Sequence, residues 1–346
     1  MATTSSTMKA IVYTEFGSPD VLRLGETARP APKPDEILVR VRAASVNFGD
    51  IMARSFRSVT PGGFNMPFVF WLMTKAALGW RKPRMRVLGN ELAGEIEAVG
   101  RDVKRFKPGD RAFGHAGQRF GAYAEFVCLP ESAPVAHKPA GLSYEEAAVI
   151  PYGALMAVSL LRRAKLRPGQ KILINGASGG IGAAAVQIAK QLGADVTAVC
   201  GAPRLEYVRA LGADRAIDYG EQDFTRNGET YDVIFDVLGR APLSRCRDSL
   251  EPRGALLYAS FKSRHLLAMV RTSLFRSRRV ICALAPGGLE DLLAVAEMVE
   301  AGTIRALVDR RFPMEAAAEA HRYVETGGRK GSVVILMAPG AKGVGQ

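Results

Sequence analysis

The chain has 346 residues, of which 48% are hydrophobic, so it can bury a sizeable core and is long enough for two domains. Its net charge of +13 suits a polyanionic partner, but no recognisable nucleic-acid module accompanies the basic residues, which argues against nucleic-acid binding. The 4 cysteines are far apart and no histidine lies at a metal-ligand interval, which excludes a disulfide framework and a zinc lobe. Without a secretion-signal pattern at its start, the sequence predicts a cytoplasmic protein.

The first third of the chain alternates short apolar runs with clusters of Pro, Gly and Asp. This texture is typical of a β-rich, barrel-like module. The predicted strands lie at 10–13, 36–42, 92–99 and 123–127.

A segment within this module stands apart because it is apolar and then basic. Residues 66–74 are too few to cross a bilayer, which needs about 20 apolar residues. The basic run 75–86 follows directly. The segment is therefore a peripheral membrane contact, the lip of an apolar pocket or an ordinary buried helix.

From Tyr144 the pattern changes to strands that alternate with helices, which predicts a parallel sheet. A later helix at 289–301 and a final strand at 332–337 are assigned to the first module. The parallel-sheet module is then inserted into the other, with predicted domains at 8–143 with 287–346, and at 144–286. The predicted strands of the parallel sheet lie at 171–174, 196–200, 215–218, 233–237 and 255–258.

The most informative segment is a glycine-rich turn between a strand and a helix at 171–193. Gly179, Gly180 and Gly182 let the backbone approach a ligand, and the following helix directs its N-terminal N–H groups and its dipole at the same point. These features predict a pyrophosphate site in a dinucleotide-binding βαβ unit.

The residue at the end of the next strand decides which dinucleotide fits. An acidic side chain there would bind the free 2′-hydroxyl of NAD. This chain has no carboxylate at 201–204, just after the strand, and has Arg204 there instead. A guanidinium suits a 2′-phosphate, and one such contact contributes roughly 1.5 to 3 kcal/mol, or on the order of a ten- to hundred-fold preference. NADPH is therefore favoured over NADH; the alternative is that Arg204 is an exposed side chain at a helix start.

Further short motifs rich in Gly, Asn and Asp lie along the whole chain, at 44–50, 88–94, 99–100, 106–111, 121–125, 166–170, 175–182, 211–214 and 327–331. With these motifs the sequence resembles the medium-chain dehydrogenase/reductase superfamily, in its zinc-independent quinone oxidoreductase-like branch. The resemblance covers about 8–337 and implies an α/β fold with a GroES-like, β-rich catalytic domain and a Rossmann domain with a doubly wound parallel sheet. It also implies NADP(H) in the cleft between them and a homodimer.

The resemblance implies a role for particular cofactor-binding residues. Arg204 corresponds to a basic contact to the 2′-phosphate, Tyr219 to a tyrosine near the same phosphate, and Leu238 with Gly239 to backbone that contacts the cofactor. The residues that correspond to the pyrophosphate site are Ser178, Gly179, Gly180 and Ile181.

The same resemblance implies that Asn47 and Asp50 are the catalytic residues. Asn47 is placed beside the nicotinamide and the substrate, as a direct contact or as a turn-forming amide, and Asp50 as a support for that loop. Zinc-dependent relatives have a cysteine at the position of Asn47 and a histidine at that of Asn90, so no metal site is expected. Without a Lewis acid, oxidation of simple alcohols is disfavoured, whereas a quinone or enone spreads the charge left by hydride addition onto a conjugated oxygen.

The sequence therefore predicts an NADPH-dependent oxidoreductase that acts on a small apolar quinone or α,β-unsaturated carbonyl compound. Two alternatives remain open. An enoyl-thioester reductase would need a tyrosine proton donor near Asn47, and 50–60 contains none. An NADPH-sensing binding protein would show little turnover.

Overall fold

The chain folds into two modules, each organised around its own sheet. The computed structural model describes residues 6–274, 278–284 and 287–337. In the N-terminal part, strands alternate with turns and two helices interrupt them. The strands are β1 (Thr7–Val12), β2 (Arg23–Ala28), β3 (Glu36–Val46), β4 (Glu91–Val99), β5 (Arg111–His115), β6 (Phe126–Pro130) and β7 (Val135–His137), and the helices are α1 (Phe48–Arg54) and α2 (Phe68–Leu78).

In the central part, strands and helices alternate as predicted. The helices are α3 (Tyr144–Ala147), α4 (Pro151–Ala164), α5 (Gly180–Gln191), α6 (Leu205–Ala210), α7 (Leu243–Cys246) and α8 (Ser263–Ser273). The strands are β8 (Lys171–Asn175), β9 (Asp195–Cys200), β10 (Arg215–Asp218), β11 (Tyr231–Asp236), β12 (Leu250–Tyr258) and β13 (Arg279–Cys282).

The central strands form a parallel sheet of six in the order β10-β9-β8-β11-β12-β13. Ile172, Leu173 and Ile174 of β8 are 0% exposed. Such a continuous apolar run fits a strand that is covered on both faces. The predicted α/β fold class, with a Rossmann-like parallel sheet and a GroES-like module, is confirmed.

The C-terminal part contains α9 (Leu289–Glu300), β14 (Val308–Pro313), α10 (Ala317–Glu325) and β15 (Ser332–Leu336). Strands β14 and β15 join the sheet of the N-terminal module, whose order is β14-β15-β3-β4-β5-β7, with β6 also paired to β3. Helix α9 packs against α4 and β7. Of the predicted domain boundaries, residue 286 and the end of the range at 338–346 lie outside the described residues.

Two local expectations differ from the structure. The strand predicted at 123–127 begins at Phe126, because Tyr123 turns its backbone N–H to the carbonyl of Leu88 instead. Helix α2 is not an ordinary buried helix, since Phe68 and Met73 are 58% and 61% exposed. Among the described residues, 144–164 is long and apolar enough for a membrane span by length and composition, but 67% of its apolar window is buried inside the protein.

Candidate active site

The loops that follow β8, β9, β10 and β11 meet at the carboxyl edge of the parallel sheet, where α/β folds bind ligands. They enclose a cavity of about 490 Å³. Five of the residues predicted to bind the cofactor line it together, although they come from four separate loops. These residues are Ser178, Gly179, Arg204, Tyr219 and Leu238.

The turn after β8 is built for close approach of a ligand to the backbone. No side chain of the described residues caps α5, whose N-cap is Gly179. A Cβ at Gly182 would lie 2.2 Å from the carbonyl oxygen of Gly176, so only glycine packs there. A Cβ at Gly180 would meet nothing within 4 Å, so the space in front of the helix N-terminus is open. An open cradle at an uncapped helix N-terminus fits a pyrophosphate.

Two guanidinium groups flank this turn. Nη1 of Arg204 donates a hydrogen bond to Oγ of Ser178 over 3.1 Å. Arg329, just before β15, lines a small neighbouring pocket with Ser178 and Gly180. Burial lowers the pKa of Arg329, and the charge of Arg204 lowers it further. Because a bound anion offsets the repulsion between two like charges, the turn between these guanidinium groups fits a phosphate group.

Tyr219 and Leu238 line the wall of the cavity, whereas Gly239 and Ile181, also predicted to bind the cofactor, do not line it. Tyr219 is 70% exposed and its hydroxyl lies beside Gly201, where a Cβ would be 3.2 Å from it. Leu238 lies over the turn, since a Cβ at Gly176 would be 3.2 Å from its Cγ. Gly239 has φ +65°, and a Cβ there would be 2.2 Å from the carbonyl oxygen of Ser260. Leu238 therefore faces the cavity and Gly239 allows the turn beneath it.

Asn47 lies at the start of α1 and is 8% exposed. Its Oδ1 accepts hydrogen bonds from the N–H groups of Gly49 (2.8 Å) and Asp50 (3.4 Å), as the N-cap of the helix. Its Nδ2 donates to Oδ1 of Asn90 and, over 3.0 Å, to Oε2 of Glu91. Both functions of the amide are used inside the protein, which is the geometry of a turn-forming amide; direct contact with a substrate stays a prediction.

Glu91 is the centre of this polar cluster, which we define as Asn47, Asn90, Glu91 and Tyr152. Its Oε1 accepts a hydrogen bond from the backbone N–H of Tyr152 over 2.7 Å, and its Oε2 accepts from the hydroxyl of Ser45 as well as from Asn47. Burial raises the pKa of this carboxyl group, and the hydrogen bonds oppose the rise.

Two donors of the polar cluster are not used within the protein. Neither Nδ2 of Asn90 nor the hydroxyl of Tyr152 makes a hydrogen bond to another described residue. Burial, with the nearby carboxylates of Glu91 and Asp50, raises the pKa of Tyr152 to about 12, so its hydroxyl stays protonated at neutral pH. These groups can donate to an oxygen that becomes negative.

Asp50 lies behind α1 and is 0% exposed. It accepts hydrogen bonds from the backbone N–H groups of Asn47 (3.2 Å) and Gly89 (2.9 Å), so it joins the start of α1 to the loop before β4. Burial raises its pKa to about 7. Its position is that of a support for the loop, and its assignment to catalysis stays a prediction.

A second buried polar layer lies beneath the cluster. The hydroxyl of Tyr123 donates to the carbonyl oxygen of Ser45 over 3.1 Å and lies 3.2 Å from Nε2 of His321. Burial lowers the pKa of His321 to about 3, and the neighbouring Arg54 contributes to the shift. Arg54 itself is 1% exposed and forms an ion pair with Glu325. This layer links α1 to α10.

Asn47 and Asn90 stand at the two positions where zinc-dependent relatives have metal ligands, and here the two side chains are hydrogen-bonded to each other. Nδ2 of Asn47 donates to Oδ1 of Asn90. Within the described parts of the chain, no group of three or more His, Cys, Asp or Glu side chains could hold a metal ion. The donor set of the polar cluster is made of amides, a hydroxyl and one carboxylate, and does not fit zinc.

Sequence reasoning gave no role to Glu91, Tyr152 or Arg329. Glu91 lies in the motif at 88–94 and Arg329 in the motif at 327–331. Because Glu91 is directly followed by the apolar residues of β4, the sequence contained a signal of a buried carboxylate. The tyrosine of the polar cluster, Tyr152, is not in 50–60, the segment next to Asn47 in sequence, but in α4, about a hundred residues further along the chain.

The fold and the site together define a two-domain oxidoreductase with a nucleotide-binding Rossmann domain. A family model described as alcohol dehydrogenase GroES-like domain matches residues 33–140, and one described as zinc-binding dehydrogenase matches residues 211–335. The chain belongs to the medium-chain dehydrogenase/reductase superfamily, in its quinone oxidoreductase-like branch.

Relatives and solved structures agree with this assignment. The chain is 32% identical to a quinone oxidoreductase of Pseudomonas aeruginosa, over 95% of this chain and 99% of that protein. It is 29% identical to an NADPH-dependent alkenal/one oxidoreductase, chloroplastic, of Arabidopsis thaliana, over 96% and 80%. The structure of the quinone oxidoreductase from Coxiella burnetii superposes with a TM-score of 0.81 at 28% identity, over 96% and 100%. The chain is an oxidoreductase that uses a nicotinamide cofactor and a small carbonyl or quinone substrate.

Proposed function

We propose that this protein uses NADPH, without zinc, to reduce a quinone or an α,β-unsaturated carbonyl compound. The observation that carries the cofactor preference is the position of Arg204. Its guanidinium follows the end of β9 and is hydrogen-bonded to Ser178 at the edge of the nucleotide cavity, and 201–204 contains no carboxylate to bind a 2′-hydroxyl. Arg329, on the other side of the turn, adds positive charge for the pyrophosphate.

The polar cluster supplies the chemistry of the substrate side. When bound, NADPH supplies a hydride, which leaves negative charge on the oxygen of the acceptor. Nδ2 of Asn90 and the hydroxyl of Tyr152 stabilise that oxygen by donating hydrogen bonds to it. Both donors are available for this role, since neither donates to another described residue. Glu91 orients both residues through Asn47 and the backbone of Tyr152, and a proton from water completes the reduction.

The proposed substrate class follows from this donor set. Two neutral donors are weaker than a Lewis acid, so they suit an acceptor that spreads its charge over a conjugated system. The printed names of the relatives, a quinone oxidoreductase and an alkenal/one oxidoreductase, support the same class. The protein is further proposed to be a homodimer and, because its four cysteines are free, to work in the reducing cytoplasm.

The position of Tyr152 also favours a second candidate, reduction of an enoyl thioester. That reaction delivers a hydride to the β-carbon and needs a proton donor at the adjacent carbon, a role that a tyrosine hydroxyl can fill. Asn47 and Tyr152 are held by the same carboxylate of Glu91, which meets the requirement for a tyrosine close to Asn47.

A steady-state panel tests these proposals. Purified protein is given NADPH or NADH with soluble quinones, enones, enoyl thioesters and aldehydes, and oxidation of the nucleotide is followed by absorbance. We expect turnover with NADPH on quinones or enones, and a lower kcat/KM with NADH. Turnover confined to enoyl thioesters supports the second candidate. Tight NADPH binding with no turnover on any substrate indicates a sensing protein and contradicts both.

A further inference from the structure

Helix α2 presents an apolar face to solvent. The exposed positions of the helix are 68, 69, 72, 73, 76 and 77, which share one side at helical spacing, and every one of them is apolar. Phe68 is 58%, Val69 55%, Leu72 39% and Met73 61% exposed. Just beyond the helix, Trp80 is 59% exposed. A surface helix normally shows polar residues on this side, so the face is suited to an apolar environment outside the protein.

The opposite side of α2 is fixed to the protein, so the exposed face has a defined orientation. Nε1 of Trp71 donates a hydrogen bond to the carbonyl oxygen of Val59 over 2.9 Å. Phe70 and Trp71 pack against the core of the N-terminal module. Phe64, just before the helix, meets the ring of Phe56 edge-on, with centroids 6.0 Å apart.

Two segments of the chain, one of which contains α2, are basic and lack acidic residues, although Arg54 in the first is buried and paired with Glu325. Residues 51–90 contain seven basic residues and no acidic one, and residues 252–289 contain seven basic residues and no acidic one. Outside these two segments the chain has 33 basic and 34 acidic residues, of 47 and 34 in total, so its whole net charge of +13 comes from them. A region with this composition attracts a negatively charged surface.

The two acid-free segments contact each other at the start of α8. Nζ of Lys262, at the start of α8, donates a hydrogen bond to the carbonyl oxygen of Gly62 over 2.6 Å. Met66 packs against the cores of both modules. The loop that leads into α2 therefore contacts the start of α8, and Lys262 lies where the two modules meet.

Aromatic and basic side chains border the apolar face. Nζ of Lys75 lies 4.7 Å from the ring centroid of Trp71 and 5.4 Å from that of Trp80. Arg81 and Lys82 follow Trp80 directly and are exposed. Exposed tryptophan next to lysine and arginine, beside an apolar helix face, is the composition of a segment that lies at the interface of a bilayer.

We propose that α2, with Trp80 and the basic residues after it, docks the protein on an anionic phospholipid bilayer. The apolar face would enter the acyl boundary while Arg81 and Lys82 contact the lipid phosphates. A nucleic acid fits less well, because its phosphates gain nothing from six exposed apolar positions. A second copy of the chain fits less well too, because each copy would bring the same positive charge to the contact. The proposal concerns binding alone and does not depend on the substrate or on the preferred nucleotide.

Vesicle co-sedimentation of the full chain tests this proposal. Vesicles of phosphatidylglycerol with phosphatidylcholine are compared with pure phosphatidylcholine, at low and high salt. We expect binding to the anionic vesicles at low salt that falls at least about tenfold without anionic lipid or at high salt. The double variant Leu72→Glu/Met73→Glu is expected to lose at least about tenfold in affinity. Leu293→Glu, on the exposed side of α9, is its matched control and is expected to bind like wild type.

A second pair of variants tests the charge. Arg81→Gln/Lys82→Gln is expected to weaken binding by about tenfold or more, whereas Arg101→Gln/Lys104→Gln, exposed elsewhere, is expected to have little effect. Circular dichroism and NADPH binding verify that each variant is folded. No binding to anionic vesicles, or equal losses in the test and control variants, would overturn the proposal. So would binding only to duplex DNA, or a change from dimer to monomer in Leu72→Glu/Met73→Glu by light scattering.

Discussion

Replacing Arg204 by glutamine is expected to weaken NADPH binding far more than NADH binding. The substitution keeps a polar side chain next to Ser178 but removes the charge, which now lies 3.1 Å from the serine hydroxyl. A hydrogen bond between charged groups contributes about 1.5 to 3 kcal/mol, so the Kd for NADPH should rise roughly 10- to 150-fold. NADH has no 2′-phosphate and loses no such contact.

The ratio of the two dissociation constants is the informative quantity. Removing Arg204 also relieves its repulsion of Arg329. That change alters the affinity for the pyrophosphate, which both nucleotides contain, so it cancels in the ratio. Calorimetric titration of each nucleotide, with KM values from steady-state turnover, gives that ratio directly. Arg209→Gln is the matched control, because Arg209 lies on α6, pairs with Glu206 and does not line the nucleotide cavity. Equal changes for NADPH and NADH in Arg204→Gln would refute the assignment of Arg204 to the 2′-phosphate.

Three further outcomes are expected. Tyr152→Phe should lower kcat/KM about 10- to 100-fold with NADPH affinity unchanged, because its hydroxyl has no partner among the described residues; an unchanged kcat/KM would contradict its role. His321 is neutral in the fold, with a pKa of about 3 against 6.5 when unfolded, so it destabilises the protein as pH falls through that interval. The free energy of unfolding should drop by about 2 kcal/mol more between pH 7.5 and pH 5 in wild type than in His321→Gln, as measured by urea unfolding, and equal slopes would argue against the shift. Metal analysis of purified protein should find no stoichiometric zinc, and one equivalent would contradict the proposed metal-free site.

The nucleotide-binding half could be predicted from sequence because its signals are local. A buried parallel strand is a continuous apolar run, and the glycine turn and its helix follow it directly. The carboxyl ends of parallel strands share one edge, so Ser178, Arg204 and Tyr219 could be expected to meet there. The structure brings them to one cavity.

The polar cluster could not be predicted in the same way because its members are far apart in the chain. Asn47, Glu91 and Tyr152 come from the start of α1, from β4 and from α4, and only the packing of the two modules joins them. The sequence indicated three alternatives for the segment that forms α2 but could not decide between them, since a mostly apolar helix has the same sequence pattern whether or not one side is covered.

The space in front of Gly180 shows that this glycine is not needed for folding. Gly180 does not need positive φ, and a methyl group there would touch no protein atom within 4 Å, so alanine is compatible with the native backbone. Such a methyl would instead project to where the pyrophosphate is proposed to lie. Glycine at this residue is therefore explained by binding of the proposed nucleotide and not by folding. Gly180→Ala is expected to fold normally and to exclude the nucleotide by a steric clash with its pyrophosphate.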